Sequence, residues 1–319
     1  MCCRLALFLL ALLLSVAASA QTLTPGNHSR SLVSGGLTRT YLVHVPATYS
    51  GASAVPLVVD IHGLSSNASQ QYQLSGMVAR SDQHGFIVVH PQGVNNAWNG
   101  GVCCSTATDD VAFIRALVAN MHVEANIDAQ RVYATGLSNG GAMTHRLACE
   151  AADIFAAAAP LAFPISLSPP SSCQPSRRIP VLTFMGLTDM LVLYNGGGWP
   201  GALATFAHWR DTNACDSSGA PEIHTAQGNS YCDYDTSCAD GVKVGLCSIT
   251  AQAFPGQFYD GHILYLNPDY NLSVLAWDFM SQFTLTPGPP VAVPALPLAW
   301  LPVAAGLVLV AAGRRLSRR

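Results

Sequence analysis

Ser138 stands at the centre of Gly136-Leu137-Ser138-Asn139-Gly140, a G-x-S-x-G segment between the apolar run Val132-Tyr133-Ala134 and a helical run from Gly141 to Glu150. A serine nucleophile requires that context. On a sharp strand-to-helix turn its hydroxyl stands clear of the sheet, and flanking glycines let the chain bend and a substrate approach. Because a serine hydroxyl is a weak nucleophile near neutral pH, Ser138 needs a histidine to take its proton and a carboxylate to orient that histidine. On such an elbow the chain order is serine, acid, histidine. Asp189 fits as the acid: it follows the apolar run Val181 to Met185 and the turn Gly186-Leu187-Thr188, at the sheet edge where the elbow lies. Only His208, His224 and His262 come after it. His208 sits mid-helix beside Trp209 and reads as packing, and His224 lies in a short alternating run far from a glycine turn. His262, in Tyr259-Asp260-Gly261-His262, falls in a loop able to reach over the sheet and is the expected base. An acyl-transfer oxyanion needs donors, usually two backbone N–H groups. The expected pair belongs to Asn139, directly after the nucleophile, and to Leu64, after His62-Gly63, with His62 shaping that loop. Trp98 and Tyr265 are the expected substrate contacts, since their rings could stack on a substrate ring.

The elements that must hold these residues follow from hydrophobic periodicity. Pro56 to Gly63 is a near-continuous apolar run ending in His-Gly, the pattern of a central strand buried on both faces. Further strands are expected at Thr38 to Pro46 on a sheet edge, Gly85 to Pro91, Phe155 to Leu161, Ile179 to Met185 and Val242 to Phe254. Helices are expected at Gln71 to His84, Thr108 to His122 with Asp109 and Asp110 capping its start, Gly201 to Asn213 and Leu272 to Phe283. Strand and helix alternate repeatedly, which implies an α/β fold, a mainly parallel sheet with helices on both faces. The Cys-rich stretch after Asn213 reads as a stapled excursion from that sheet.

Half of the 319 residues are hydrophobic and only 10% are charged, with a formal net charge of -3. That allows a large core and offers no basic footprint for nucleic acid. Residues 1–20, with Arg4, an apolar run from Leu5 to Val16 and Ala18-Ser19-Ala20, have the layout of a secretory signal peptide. Of ten cysteines, Cys2 and Cys3 fall in that segment, and an even set of eight remains, as expected for disulfides in an exported chain. Paired C-x-x-C spacing is missing, so a zinc site is not expected, nor is any cofactor. The expected layout is a catalytic domain over residues 21–285, a Pro-rich linker at 286–294, and at 295–319 an uncharged apolar segment closed by Arg314, Arg315, Arg318 and Arg319. That segment is long enough to cross a bilayer, and its basic end should stay cytoplasmic. Its expected partner is the cytoplasmic membrane or the cell surface, with the catalytic domain outside.

As an ordered set, several motifs resemble the secreted esterase family of poly(3-hydroxybutyrate) depolymerases and feruloyl esterases. They are Asp60-Ile61-His62-Gly63, Trp98-Asn99-Gly100-Gly101-Val102-Cys103-Cys104, Asp109 to Ile114, Arg131 to Gly141, Met185-Gly186-Leu187-Thr188-Asp189, and Gly261-His262. The resemblance spans about Thr40 to Phe283 and implies an α/β-hydrolase fold and ester hydrolysis through an acyl-enzyme. It puts nucleophile, acid and base on Ser138, Asp189 and His262. It also suggests disulfides from Cys103 or Cys104 to Cys149 or Cys173, with Cys215 to Cys247 as a further pairing. Two departures bear on substrate: Met185-Gly186 stands where members usually have His-Gly, and Ile263-Leu264-Tyr265 where they usually have Trp-Pro. Feruloyl, acetyl and hydroxyalkanoate esters all remain open, polyhydroxybutyrate included. So does an inactive hydrolase scaffold displayed for binding. The C-terminal segment resembles the tripartite sorting signals of some bacterial surface proteins.

Overall fold

Alternate residues of one strand feed two separate cores. In the computed structural model, which describes residues 23–104, 107–216, 221–250 and 256–285, the run after Pro56 forms β3 (Val55–Ile61) at the middle of the sheet. Its Leu57, Val59 and Ile61 enter the core on one face, while Val58 enters the core on the other. Two-sided burial explains why the run is continuous rather than alternating.

The other strands are β1 (Gly26–Ser34), β2 (Leu37–Val45), β4 (Ile87–Pro91), β5 (Ile127–Leu137), β6 (Ala157–Leu161), β7 (Val181–Gly186), β8 (Ile223–Gln227), β9 (Ser230–Asp235) and β10 (Val244–Ile249). With β3 they form, among the described residues, a ten-stranded sheet in the order β1-β2-β4-β3-β5-β6-β7-β10-β9-β8. The six strands from β4 to β10 run parallel, and an antiparallel pair extends each side. The helices are α1 (Ala68–Leu74), α2 (Met77–His84), α3 (Asp110–Glu124), α4 (Asn139–Glu150), α5 (Ala202–Thr212) and α6 (Leu272–Met280). Buried residues of α3, α4 and α5 share one core, and those of α2 and α6 the other, so both faces are covered.

Several sequence expectations need correction. The helix expected over 71–84 is two helices, because Gly76 adopts φ +75 between them, and a Cβ there would lie 2.9 Å from Ser273 Oγ. The Cys-rich stretch is no excursion: β9 and β8 continue the sheet beyond β10, with Cys232 opposite Cys247 in register and bonded to it. The disulfide pairs also differ. Cys103 joins Cys104, Cys149 joins Cys173, and Cys215 joins Cys238. The three non-adjacent bridges span 15 to 24 residues, each worth about 3 kcal/mol in the chain-entropy account.

Asp109 caps α3 by accepting the Ala112 N–H at 2.9 Å, as expected. Asp110 does not cap; it is buried and pairs with Arg39 at 2.8 Å. Among the described residues no helix is long and apolar enough to cross a membrane. The segments read as signal peptide, Pro-rich linker and apolar Arg-ended tail lie outside the described residues, as does the end of the strand expected to reach Phe254.

Candidate active site

β5 ends at Leu137 and α4 starts at Asn139, so Ser138 alone makes the turn, at φ 58 and ψ -121. A non-glycine residue holds such a conformation only when its surroundings over-determine it. Here the Ser138 N–H donates to the Leu161 carbonyl at 2.8 Å, and the Ser138 carbonyl accepts the Ala142 N–H at 2.9 Å. The neighbouring glycines are needed for close approach rather than flexibility. A Cβ on Gly136 would sit 2.7 Å from the Ile61 carbonyl oxygen, and one on Gly140 would overlap that same oxygen. Both glycines thus let the end of β3 lie directly against the elbow.

The loops after β7 and β10 bring the other two groups. Asp189 follows β7 by three residues and is buried. Its Oδ1 accepts the N–H groups of Leu191 at 2.8 Å and Val192 at 2.9 Å, which leaves Oδ2 for His262 Nδ1 at 2.7 Å. A carboxylate only accepts, so Nδ1 carries the imidazole proton and the Nε2 lone pair faces outward. Ser138 Oγ lies 2.8 Å from Nε2 and donates to it. The Asp189 and His262 loops meet backbone to backbone. Gly261 holds φ +74, and a Cβ there would come within 2.5 Å of Asp189 N.

The loop after β3 faces the elbow from the opposite side. A Cβ on Gly63 would lie 3.3 Å from Ser138 Cβ, so this loop passes against the serine. His62 Nε2 accepts the Gly93 N–H at 3.0 Å, and Nδ1–H therefore donates to the Gly63 carbonyl at 2.7 Å. Burial pushes its pKa below the usual imidazole value, consistent with a neutral ring that shapes the loop. Leu64 is half exposed beside Ser138, and Asn139, as the first residue of α4, has no helical partner for its N–H.

Trp98 and Tyr265 are not where a substrate could stack on them. Trp98 is fully buried and lies outside the cleft: Asn139 holds its backbone through bonds of 2.7 and 3.0 Å, and its Nε1–H donates to the His62 carbonyl at 3.0 Å. It braces the His62 loop against the elbow instead. Tyr265 is not in the cleft but lines a separate pocket with Asn267, Tyr270 and Leu272, and its hydroxyl accepts from Gln71 Nε2 at 3.3 Å. His208 and His224 stay remote, bonded to Thr212 and Asp233 within their own neighbourhoods.

The cleft over Ser138 and His262 has a volume of about 430 Å³. Its apolar walls come from Phe163, Leu191, Trp199, Phe258, Tyr259 and the Cys103–Cys104 disulfide. Phe163 and Trp199 meet edge to face, with ring centroids 5.1 Å apart. Sequence reasoning did not assign these residues to the cleft because they come from the segments after β4, β6, β7 and β10 and share no periodicity. Among the described residues, Cys215, Asp235 and Cys238 cluster at metal-like distances, but the two sulfurs are bonded to each other and supply no thiolate.

Residues 40–166 match the family described as esterase PHB depolymerase. Feruloyl esterase B of Piromyces equi is 35% identical over 263 residues, 77% of this chain and 46% of that protein. Poly(3-hydroxyalkanoate) depolymerase C of Paucimonas lemoignei is 39% identical over 127 residues, 37% of this chain and 30% of that protein. The chain thus spans about half or less of the length of these two relatives. Among solved structures, the acetyl xylan esterase of Aspergillus awamori aligns with a TM-score of 0.57 at 19% identity, covering 69% of this chain and 92% of that one. At that identity the likeness concerns the fold, which is the α/β-hydrolase fold.

Proposed function

We propose that the chain, whose residues 40–166 match the esterase family of PHB depolymerases, hydrolyses carboxylic esters through an acyl-enzyme on Ser138. The observation that carries this reading is His262, whose two ring nitrogens meet Ser138 Oγ at 2.8 Å and Asp189 Oδ2 at 2.7 Å. In the proposed reaction Ser138 Oγ attacks the ester carbonyl carbon while its proton passes to His262 Nε2. The N–H groups of Asn139 and Leu64 hold the oxyanion. Collapse breaks the bond to the alkoxy oxygen, which leaves as the alcohol with the proton from Nε2. Water then gives a proton to Nε2 and attacks the acyl carbon. Collapse of that second intermediate returns the proton to Ser138 Oγ and releases the acid. Asp189 remains ionised throughout, fixing the tautomer and stabilising the imidazolium. Every step uses groups of this chain, an ester and water.

The test is incubation with p-nitrophenyl acetate and with a fluorophosphonate probe. Turnover of the ester and an adduct on Ser138 are expected, and the absence of both sinks the reading. For the substrate we propose soluble aromatic or short-chain esters, since Phe163, Trp199, Phe258 and Tyr259 line the cleft. A panel of methyl ferulate, acetylated xylan and hydroxybutyrate oligomers decides this, and a preference for the oligomers overturns it.

We also propose that the domain acts outside the cytoplasm, a location supported by its four disulfides. The apolar, Arg-ended segment beyond residue 294 would keep it at the cell surface. Fractionating cells that express the full chain or one ending at Thr286 tests this. Equal release of both, with the full chain keeping its tail, refutes retention.

A further inference from the structure

We infer that the Cys103–Cys104 disulfide is a specificity-determining wall of the ester site, a sulfur surface that favours a flat aromatic group on the ester over a small aliphatic one. The inference rests on the esterase reading and goes beyond it by assigning a substrate-sorting part to two residues outside the reacting group. Both sulfur residues line the cleft that holds Ser138 and His262. Cys103 is buried in the same core as Phe163 and Val192, and Cys104, Trp199 and Leu191 pack against that core. The lining of the cleft thus combines sulfur, aromatic and aliphatic groups.

The stretch that leads into the disulfide, residues 99–102, is tied down. The Val102 N–H donates to the Ser166 carbonyl at 2.9 Å, the Ser166 hydroxyl bonds the Gly100 carbonyl, and Arg146 donates to the Asn99 carbonyl at 2.8 Å. Gly101, at φ +114, lets the chain pass so close that a Cβ would come within 2.5 Å of the Ser166 oxygen. These contacts hold the chain that leads into the disulfide. Bonding adjacent cysteines closes a small ring through the peptide between them, and its two sulfurs carry no S–H donor. Its polarisable sulfur makes favourable contacts with aromatic rings. Two free thiols would offer separately rotating side chains and weak S–H donors instead.

The experiment compares the wild-type chain with the double variant Cys103→Ala/Cys104→Ala on methyl ferulate and p-nitrophenyl acetate. The ratio of kcat/KM values, ferulate over acetate, is expected to fall at least about tenfold, mainly through KM for the ferulate. An unchanged ratio overturns the inference. Reducing the wild-type chain with a trialkylphosphine, and locating the free thiols by peptide mapping, gives the same test without substitution, should the double variant not fold. Binding of ferulic acid reads the wall independently of turnover: its Kd should rise at least about tenfold when Cys103 and Cys104 are free thiols. A constant Kd rejects the inference whether or not either ester is cleaved. Absence of turnover in the wild type, with the Kd shift intact, instead rejects the esterase reading.

Discussion

His262 touches both other members of the proposed catalytic group, so substitutions around it separate chemistry from scaffolding. Ser138→Ala and His262→Ala are each expected to lower kcat by about 10⁶, and Asp189→Asn by about 10⁴, with KM for p-nitrophenyl acetate little changed. Near-normal rates for His262→Ala, together with a dead His208→Ala, would mean that the base lies elsewhere. Gly261 offers a subtler probe because it contributes no functional group. Its φ of +74 and the 2.5 Å approach that a Cβ would make to Asp189 N leave no room for a methyl. Gly261→Ala should therefore part the acid loop from the histidine loop and lower kcat at least about tenfold, while labelling by a fluorophosphonate slows in parallel. Unaltered kinetics in that variant would show that the Asp189–His262 contact does not depend on this backbone approach.

At the scale of elements, the segment between β4 and α3 does more than connect them. Trp98 clamps the His62 loop to the first turn of α4 through Asn139. Behind it, Asp110 accepts the Asn99 N–H at 2.8 Å and pairs with Arg39 of β2, whose guanidinium lies 3.9 Å over the Phe113 ring. The Arg39 side chain is only 4% exposed and that of Asp110 0%, so neither charge can turn to water. A buried pair of this kind is costly to break because the remaining charge stays desolvated. Asp110→Asn is expected to lower unfolding free energy by about 3–5 kcal/mol, measured by urea titration. A loss below about 1 kcal/mol would mean that the pair behaves like a surface one. Asp109, by contrast, only caps α3, and a cap is worth about 1 kcal/mol. Two adjacent aspartates thus have different energetic weights because one side chain points into the core.

For the molecule as a whole, histidines buried in the neutral form add to acid sensitivity. His145 of α4 is enclosed completely: Trp209 Nε1–H donates to its Nδ1 at 3.0 Å, so its Nε2–H donates to the Phe163 carbonyl at 3.2 Å. Burial pushes its pKa down to about 3. Below its unfolded value near 6.5, the unfolded chain takes up a proton that the folded chain refuses. Stability is therefore lost as pH falls from 6.5 towards 3 and is unaffected by this group at higher pH. One such group contributes a slope of about 1.4 kcal/mol per pH unit. Urea titrations at pH 7, 6 and 5 should show His145→Gln with a slope shallower than wild type by about that amount, and equal slopes would exclude the buried neutral imidazole. The residues legible from the chain alone are those set by local rules. Periodicity marks the strands feeding both cores, the glycines of the elbow mark a backbone that must turn at Ser138, and their order brings Asp189 and His262 into consideration. Tertiary structure alone decides the cleft walls, the cysteine partners, the addition of β8 and β9, and the bracing rather than substrate-facing position of Trp98. Those features depend on which distant loops converge, and no spacing along the chain encodes a convergence made by the pairing order of ten strands.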